Sequence, residues 1–172
     1  MRLHLALPAL LALCLTLGPA RAASPAEGAT GEWRAARWGM TVDEVLRAFP
    51  GEATRLEPEQ RLADGNTISA GIERHELGGQ AFRVRFVFEG GKLALVSLVA
   101  GHEKFVGAEV FEALGKVLAE RFGEPGTATR DDAFIDMRQV RWDRPRGRVD
   151  LKFIPGKIVI LHSRPEPPGK GS

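Results

Sequence analysis

The chain is predicted to adopt an α+β fold: two αβββ repeats forming one antiparallel sheet of about six strands, with two helices on one face. Three observations predict it. Two short stretches with helical apolar spacing each run into a stop, Pro50-Gly51 for the first and Gly123 for the second. Segments of alternating apolar residues are separated by Gly78-Gly79 and Gly90-Gly91, the joints of tight hairpins. Finally, Val84, Phe86, Phe88, Gly91, Lys92, Leu93 and Leu95 correspond to Val149, Leu151, Phe153, Gly156, Lys157, Ile158 and Ile160 at a constant offset of 65.

The N-terminus sets the compartment. Arg2, an apolar run from Leu5 to Leu17 and Gly18-Pro19-Ala20-Arg21-Ala22 compose a secretory signal peptide over residues 1–22, with cleavage expected after Ala22. The apolar run is about 13 residues, short of the ~20 a spanning helix needs. Cys14 lies inside that run behind Leu13, where lipid attachment requires a small residue, so no stable membrane anchor is expected. The mature protein is expected to be periplasmic or secreted. Cys14 is the only cysteine, so after cleavage the chain must hold together by packing, without disulfides. Residues 23–31 and the tail 164–172 (RPEPPGKGS) are too rich in Pro, Gly and small polar residues to pack and are expected to be disordered. One folded domain remains at 32–163, its repeats at 32–100 and 101–163. The net charge of +2 comes from 24 Lys+Arg against 22 Asp+Glu. Loss of Arg2 and Arg21 with the signal brings the two to balance, and a neutral chain is a poor nucleic-acid or anionic-membrane binder.

Within the domain, residues 33–38 form a short extended segment. Thr41 followed three residues on by Glu44 is a capping box, and Val42, Val45, Leu46 and Phe49 form one apolar stripe on a two-turn helix. Residues 56–66, polar and punctuated by Pro58 and Asp64-Gly65, are predicted to be a loop. Strands follow at 67–77, 80–89 and 92–99; in the middle one Phe82, Val84, Phe86 and Phe88 alternate with Ala81, Arg83, Arg85 and Val87, a buried face against a largely wet one. A second helix over 108–122 carries Phe111, Leu114, Leu118 and Phe122 on one side. Strands at 134–142, 147–154 and 157–162 complete the domain.

The pattern W-G-M-T-x-x-E-V-x-x-x-F-P-G at residues 38–51, a capped helix running into a Gly/Pro stop and then antiparallel strands, resembles the repeat shared by the small lipoprotein subunit of the outer-membrane β-barrel assembly machinery and by the β-lactamase inhibitor proteins. Residues 111–125 and the strands after them resemble the same unit with a weaker helix start. The resemblance implies a binder or scaffold, not a catalyst.

The residues themselves point the same way. Asp131, Asp132 and Asp136 cluster before a strand but lack the ligand spacing and central glycine of a calcium loop. His75, His102 and His162 fall on different elements without metal-ligand spacing. Ser97 and Ser163 have no G-x-S-x-G setting that would make His102 and Glu103 a hydrolase pair with them. No catalytic residue, metal site or cofactor is assigned. The candidate binding residues are Arg83, Arg85, Arg148 and Lys152, which would share one sheet face and suit a carboxylate-bearing protein partner, or else simply keep a half-exposed sheet soluble. Trp33 and Trp38 would either pack over the sheet or serve as interface anchors. The last strand of each repeat is apolar on both faces: Leu93, Leu95, Val96, Leu98 and Val99, then Ile158, Val159, Ile160 and Leu161. Something is expected to cover their second face: a protein partner, the Trp segment or the 56–66 loop. The resulting expectation is a non-enzymatic extracytoplasmic binding or scaffold protein in the cell envelope; the alternative is a carrier enclosing a small apolar or amphipathic ligand.

Overall fold

The computed structural model describes residues 31–101, 105–131 and 135–165. The signal sequence, most of the 23–31 linker and most of the tail lie outside these. The elements run α1 (Val42–Ala48), β1 (Thr54–Arg61), β2 (Thr67–Leu77), β3 (Gln80–Glu89), β4 (Lys92–Ala100), α2 (Ala108–Phe122), β5 (Thr127–Asp131), β6 (Met137–Arg144), β7 (Gly147–Ile154) and β8 (Lys157–Ser163). The fold is α+β with one antiparallel sheet, but the sheet has eight strands in the order β1-β2-β3-β4-β8-β7-β6-β5, not six in two αβββ repeats.

The two additional strands are the sheet's edges. β1 occupies most of the stretch expected to be a loop, and β5 precedes the expected second set. An edge strand covers little of the core, so neither needs the alternation that marks a buried strand. β1 is exposed except at the half-buried Leu56, and β5 is exposed throughout. Pro58 is tolerated because an edge strand leaves alternate backbone groups unpaired by a neighbour.

Both helices pack on one face of the sheet. Val45 and Phe49 at α1 join Phe111, Leu114, Leu118 and Phe122 of α2 in a single core with Val84 and Phe86 of β3, Val96 and Leu98 of β4, Val149 and Leu151 of β7, and Ile158 and Ile160 of β8. α1 forms its capping box: Thr41 N–H donates to Glu44 Oε2 at 2.7 Å, and Glu44 N–H donates to Thr41 Oγ1 at 3.3 Å. The first of these bonds, with the Thr41 hydroxyl beside it, holds the Glu44 carboxyl below its ordinary range.

Residues 31–40 strap the two halves of the sheet together on the helix side. Gly31 approaches the β6–β7 turn so closely that a Cβ there would lie 2.7 Å from the Gly147 carbonyl oxygen, and its own carbonyl accepts from His162 Nδ1 at 3.3 Å. The buried Glu32 carboxylate faces Arg146 at 3.1 Å and Arg37 at 3.6 Å. At the far end, Gly39 N–H donates to the Leu93 carbonyl and Leu93 N–H to that of Met40, at 2.9 and 2.7 Å.

A second close approach yields a direct test. Gly101, at φ +95°, leaves β4 against the β7–β8 turn, where an added Cβ would sit 2.1 Å from the Gly156 carbonyl oxygen. Gly101→Ala combines that clash with an unfavourable backbone angle and is expected to cost about 2 kcal/mol or more. The urea midpoint reports it; an unchanged midpoint would contradict the packing of this corner.

Candidate functional site

The face of the sheet away from the helices is built by strand register. Arg85 lies opposite Ser97, Ser97 opposite Leu161, Leu161 opposite Asp150 and Asp150 opposite Arg141. Two residues along, the row is Arg83, Val99, Val159, Lys152, Gln139 and Thr129. Because side chains alternate across a strand, all of these point to the helix-free side while their neighbours fill the core. Its centre is therefore an apolar stripe on β4 and β8, with Leu95, Val99, Val159 and Leu161 each half-buried. β3 and β7 flank this stripe three strand spacings apart, about 14 Å.

Four of the residues proposed from sequence meet on this face: Arg83 and Arg85 on one flank, Arg148 and Lys152 on the other. Three of them are already engaged with carboxylates. Arg83 and Arg85 both face Glu73, at 3.2 and 2.9 Å, and Arg148 Nε donates to Asp143 at 2.8 Å. Asp150, buried in the floor, accepts from Gln139 and from Arg141 Nε at 2.7 Å each. The cations still outnumber the acids, and Glu73 and Asp143 are exposed enough to be exchanged for a partner's carboxylate.

Trp33 and Trp38 are elsewhere. Trp33 is 2% exposed, inside the helix-side core. Trp38 is half-buried on the strap, its indole N–H donating to the Arg146 carbonyl. Neither the Trp segment nor the residues expected to form a loop cover the apolar stripe: the first lies on the opposite side, and the second forms the β1 edge with its turn closed by Leu62 N–H to Asn66.

The polar clusters are accounted for by ion pairing and packing. Asp136 is held by the Arg138 guanidinium at 2.7 Å and approached by Arg130 at 3.3 Å; these cations keep its carboxyl below the usual range and would repel a metal ion. Asp132 and His102 lie outside the described residues. Among the described residues no group of His, Cys, Asp and Glu could hold a metal ion. His75 packs edge-on against Trp33, and burial lowers its pKa. His162 sits in the core.

Two hollows border the β5 edge, one of about 410 Å³ reaching Lys152 and Ile154 and one of about 280 Å³ reaching Phe111 and Val140. They depend on β5 being a strand, so the only sequence signal available was the match of Ala53-Thr54-Arg55 to Ala128-Thr129-Arg130, which marks the starts of β1 and β5.

Compared with known proteins, the chain matches no protein-family model, no curated sequence and no solved structure.

Proposed function

We propose that this protein is an exported, non-enzymatic binding or scaffold module of the cell envelope that engages a protein partner through the helix-free face of its sheet. The carrying observation is the apolar stripe of Leu95, Val99, Val159 and Leu161 on the two central strands, bordered by Arg83 and Arg85 on one side and Arg148 and Lys152 on the other. A desolvated apolar centre with a polar, charged rim is the anatomy of a protein–protein interface. The helix-side space, by contrast, is filled by Phe86, Phe88, Leu98, Leu151 and Ile160, which favours a partner on the outside over a ligand within. The signal-like N-terminal sequence and the likeness of residues 38–51 to envelope binders and scaffolds support the same reading.

A photo-crosslinker at Val159 is expected to capture a discrete protein in an extracytoplasmic extract, and Val99→Asp with Leu161→Asp is expected to weaken that capture at least about tenfold by placing charge in the desolvated centre. Arg148→Glu with Lys152→Glu is expected to slow association chiefly at low salt. A co-purifying lipid mass in native mass spectrometry, with no protein adduct, would instead favour the carrier reading.

A further inference from the structure

The two edges of the sheet are built differently. β1 contains Pro58, its register with β2 breaks between Arg55 and Gln60, and Arg55, Glu57, Glu59 and Arg61 distribute charge along it. Such an edge resists the addition of another strand. β5 is shorter, with five residues, and carries charge only at Arg130 and Asp131. It contains no proline and pairs with β6 without a break, from Thr127 opposite Arg141 to Asp131 opposite Met137. All of its residues are exposed.

A hollow adjoins β5 on each face of the sheet. Thr129 lines the helix-free one, of about 410 Å³, with Met137, Gln139, Lys152 and Ile154. Ala128 lines the helix-side one, of about 280 Å³, with Phe111 and Val140. Met137 and Ile154 are 38% and 42% exposed, and with Ile135, exposed at the same corner, they form a small apolar patch. The side chains of a strand added to β5 would point alternately into these two hollows.

We propose that β5 is a docking edge at which an extended segment of a partner polypeptide adds as a further antiparallel or parallel strand. Main-chain hydrogen bonds to β5 would supply affinity and the two hollows specificity, as in strand-addition complexes generally. The hollows define the segment's chemistry. Opposite Asp131, a long apolar side chain reaches past that residue toward Met137, the next in its row. Opposite Ala128, the side chain points to the other face, meets Phe111 and Val140, and is again apolar. Opposite Thr129, the row leads across Gln139 to Lys152, which makes no ion pair among the described residues and lies three strand spacings, about 14 Å, from the added strand, so a long acidic side chain there extends toward it. Arg138, by contrast, is already occupied by Asp136 and Glu112 at 2.7 Å each. The chain's own tail is a poor candidate, since Pro165, Pro167 and Pro168 lack the N–H groups a ladder requires. This edge extends the binding reading to a second surface and does not depend on the apolar stripe.

The test is a phage-displayed library of linear peptides about eight residues long, a typical strand length, panned on the full chain with the Met137→Asp, Ile154→Asp double variant as counter-selection. Enriched peptides are expected to carry apolar residues on both faces and an acidic one, to slow amide hydrogen exchange at Thr127–Asp131, and to lose at least tenfold in affinity with Lys152→Glu. The Val99→Asp, Leu161→Asp variant is expected to bind them unchanged, which separates this edge from the central face. Thr129→Glu, at an exposed position, provides a second blocking variant should the double one fold poorly, and it is expected to weaken binding at least tenfold by repelling the acidic side chain opposite it. No enrichment, enriched peptides without this pattern, or exchange protection confined to other strands would overturn the proposal.

Discussion

Replacing Trp33 with alanine is expected to destabilise the protein by about 3–5 kcal/mol, the range for removing a large aromatic from a packed core. Its indole stacks on Phe49 at a centroid distance of 5.4 Å, meets His75 edge-on at 5.3 Å and tilts against Phe86 at 5.8 Å, joining the end of α1 to β3. The Arg34 guanidinium lies 5.4 Å from the ring centre on its outer side. Truncation leaves a void that these rigid neighbours cannot close, and it loosens the strap that reaches from Gly31 to Met40. Against a typical total of about 5–15 kcal/mol, a loss of this size is a large share of the stability. Urea denaturation measures it, with Trp33→Phe as the milder comparison. A loss below about 1 kcal/mol would mean that Trp33 is not the core residue described.

Acidification from pH 6.5 towards 4 is expected to weaken the fold progressively through His162 alone, by about 3 kcal/mol in all. Burial pushes the His162 imidazole down to about 4 from its ordinary 6.5, against the opposing pull of the Gly31 carbonyl and with a smaller contribution from Arg121. Above pH 6.5 the ring is neutral folded or unfolded and its contribution is complete; below that the unfolded chain takes up a proton that the folded one refuses, until the folded ring also titrates near 4. His75 shifts in the same direction, by burial first and Arg34 second, and being half-buried it adds less. His162→Asn places an amide where Nδ1 now donates to Gly31 and is expected to flatten the stability profile between pH 6.5 and 4.5. A profile as steep in that variant as in the parent would remove His162 from the account.

The parts of the fold that bury an apolar face were legible in the sequence. α1 with its capping box, α2 from Ala108 to Phe122, and β3 and β7 with their alternating core residues follow from local pattern, because each must present a periodic surface to the same core. β1 and β5 escaped for the complementary reason. Leu56 is the only residue of β1 that reaches even a half-buried position, and TATRD carries no pattern to detect. The expected loop over 56–66 and the expected count of six strands fell together, since both rested on equating polarity with irregular structure. The face shared by Arg83, Arg85, Arg148 and Lys152 was recoverable from strand alternation. Their existing carboxylate partners were not, because Glu73 and Asp143 reach them by way of strand pairing and turn geometry. Trp33 and Trp38 remained ambiguous in sequence because an indole suits a core as well as an interface.

The strand order has a bearing on how the molecule comes into being. Turns and short links join β1 to β4 and β5 to β8, whereas the β4–β8 seam unites residues as distant in the chain as Leu98 and Ile160. A polypeptide made from its N-terminus finishes the first ribbon while β8 is still unmade. During that interval the flank of β4 stands bare, with Leu95 and Val99 on one side and Val96 and Leu98 on the other, an aggregation-prone stage that ends only when the last strand arrives.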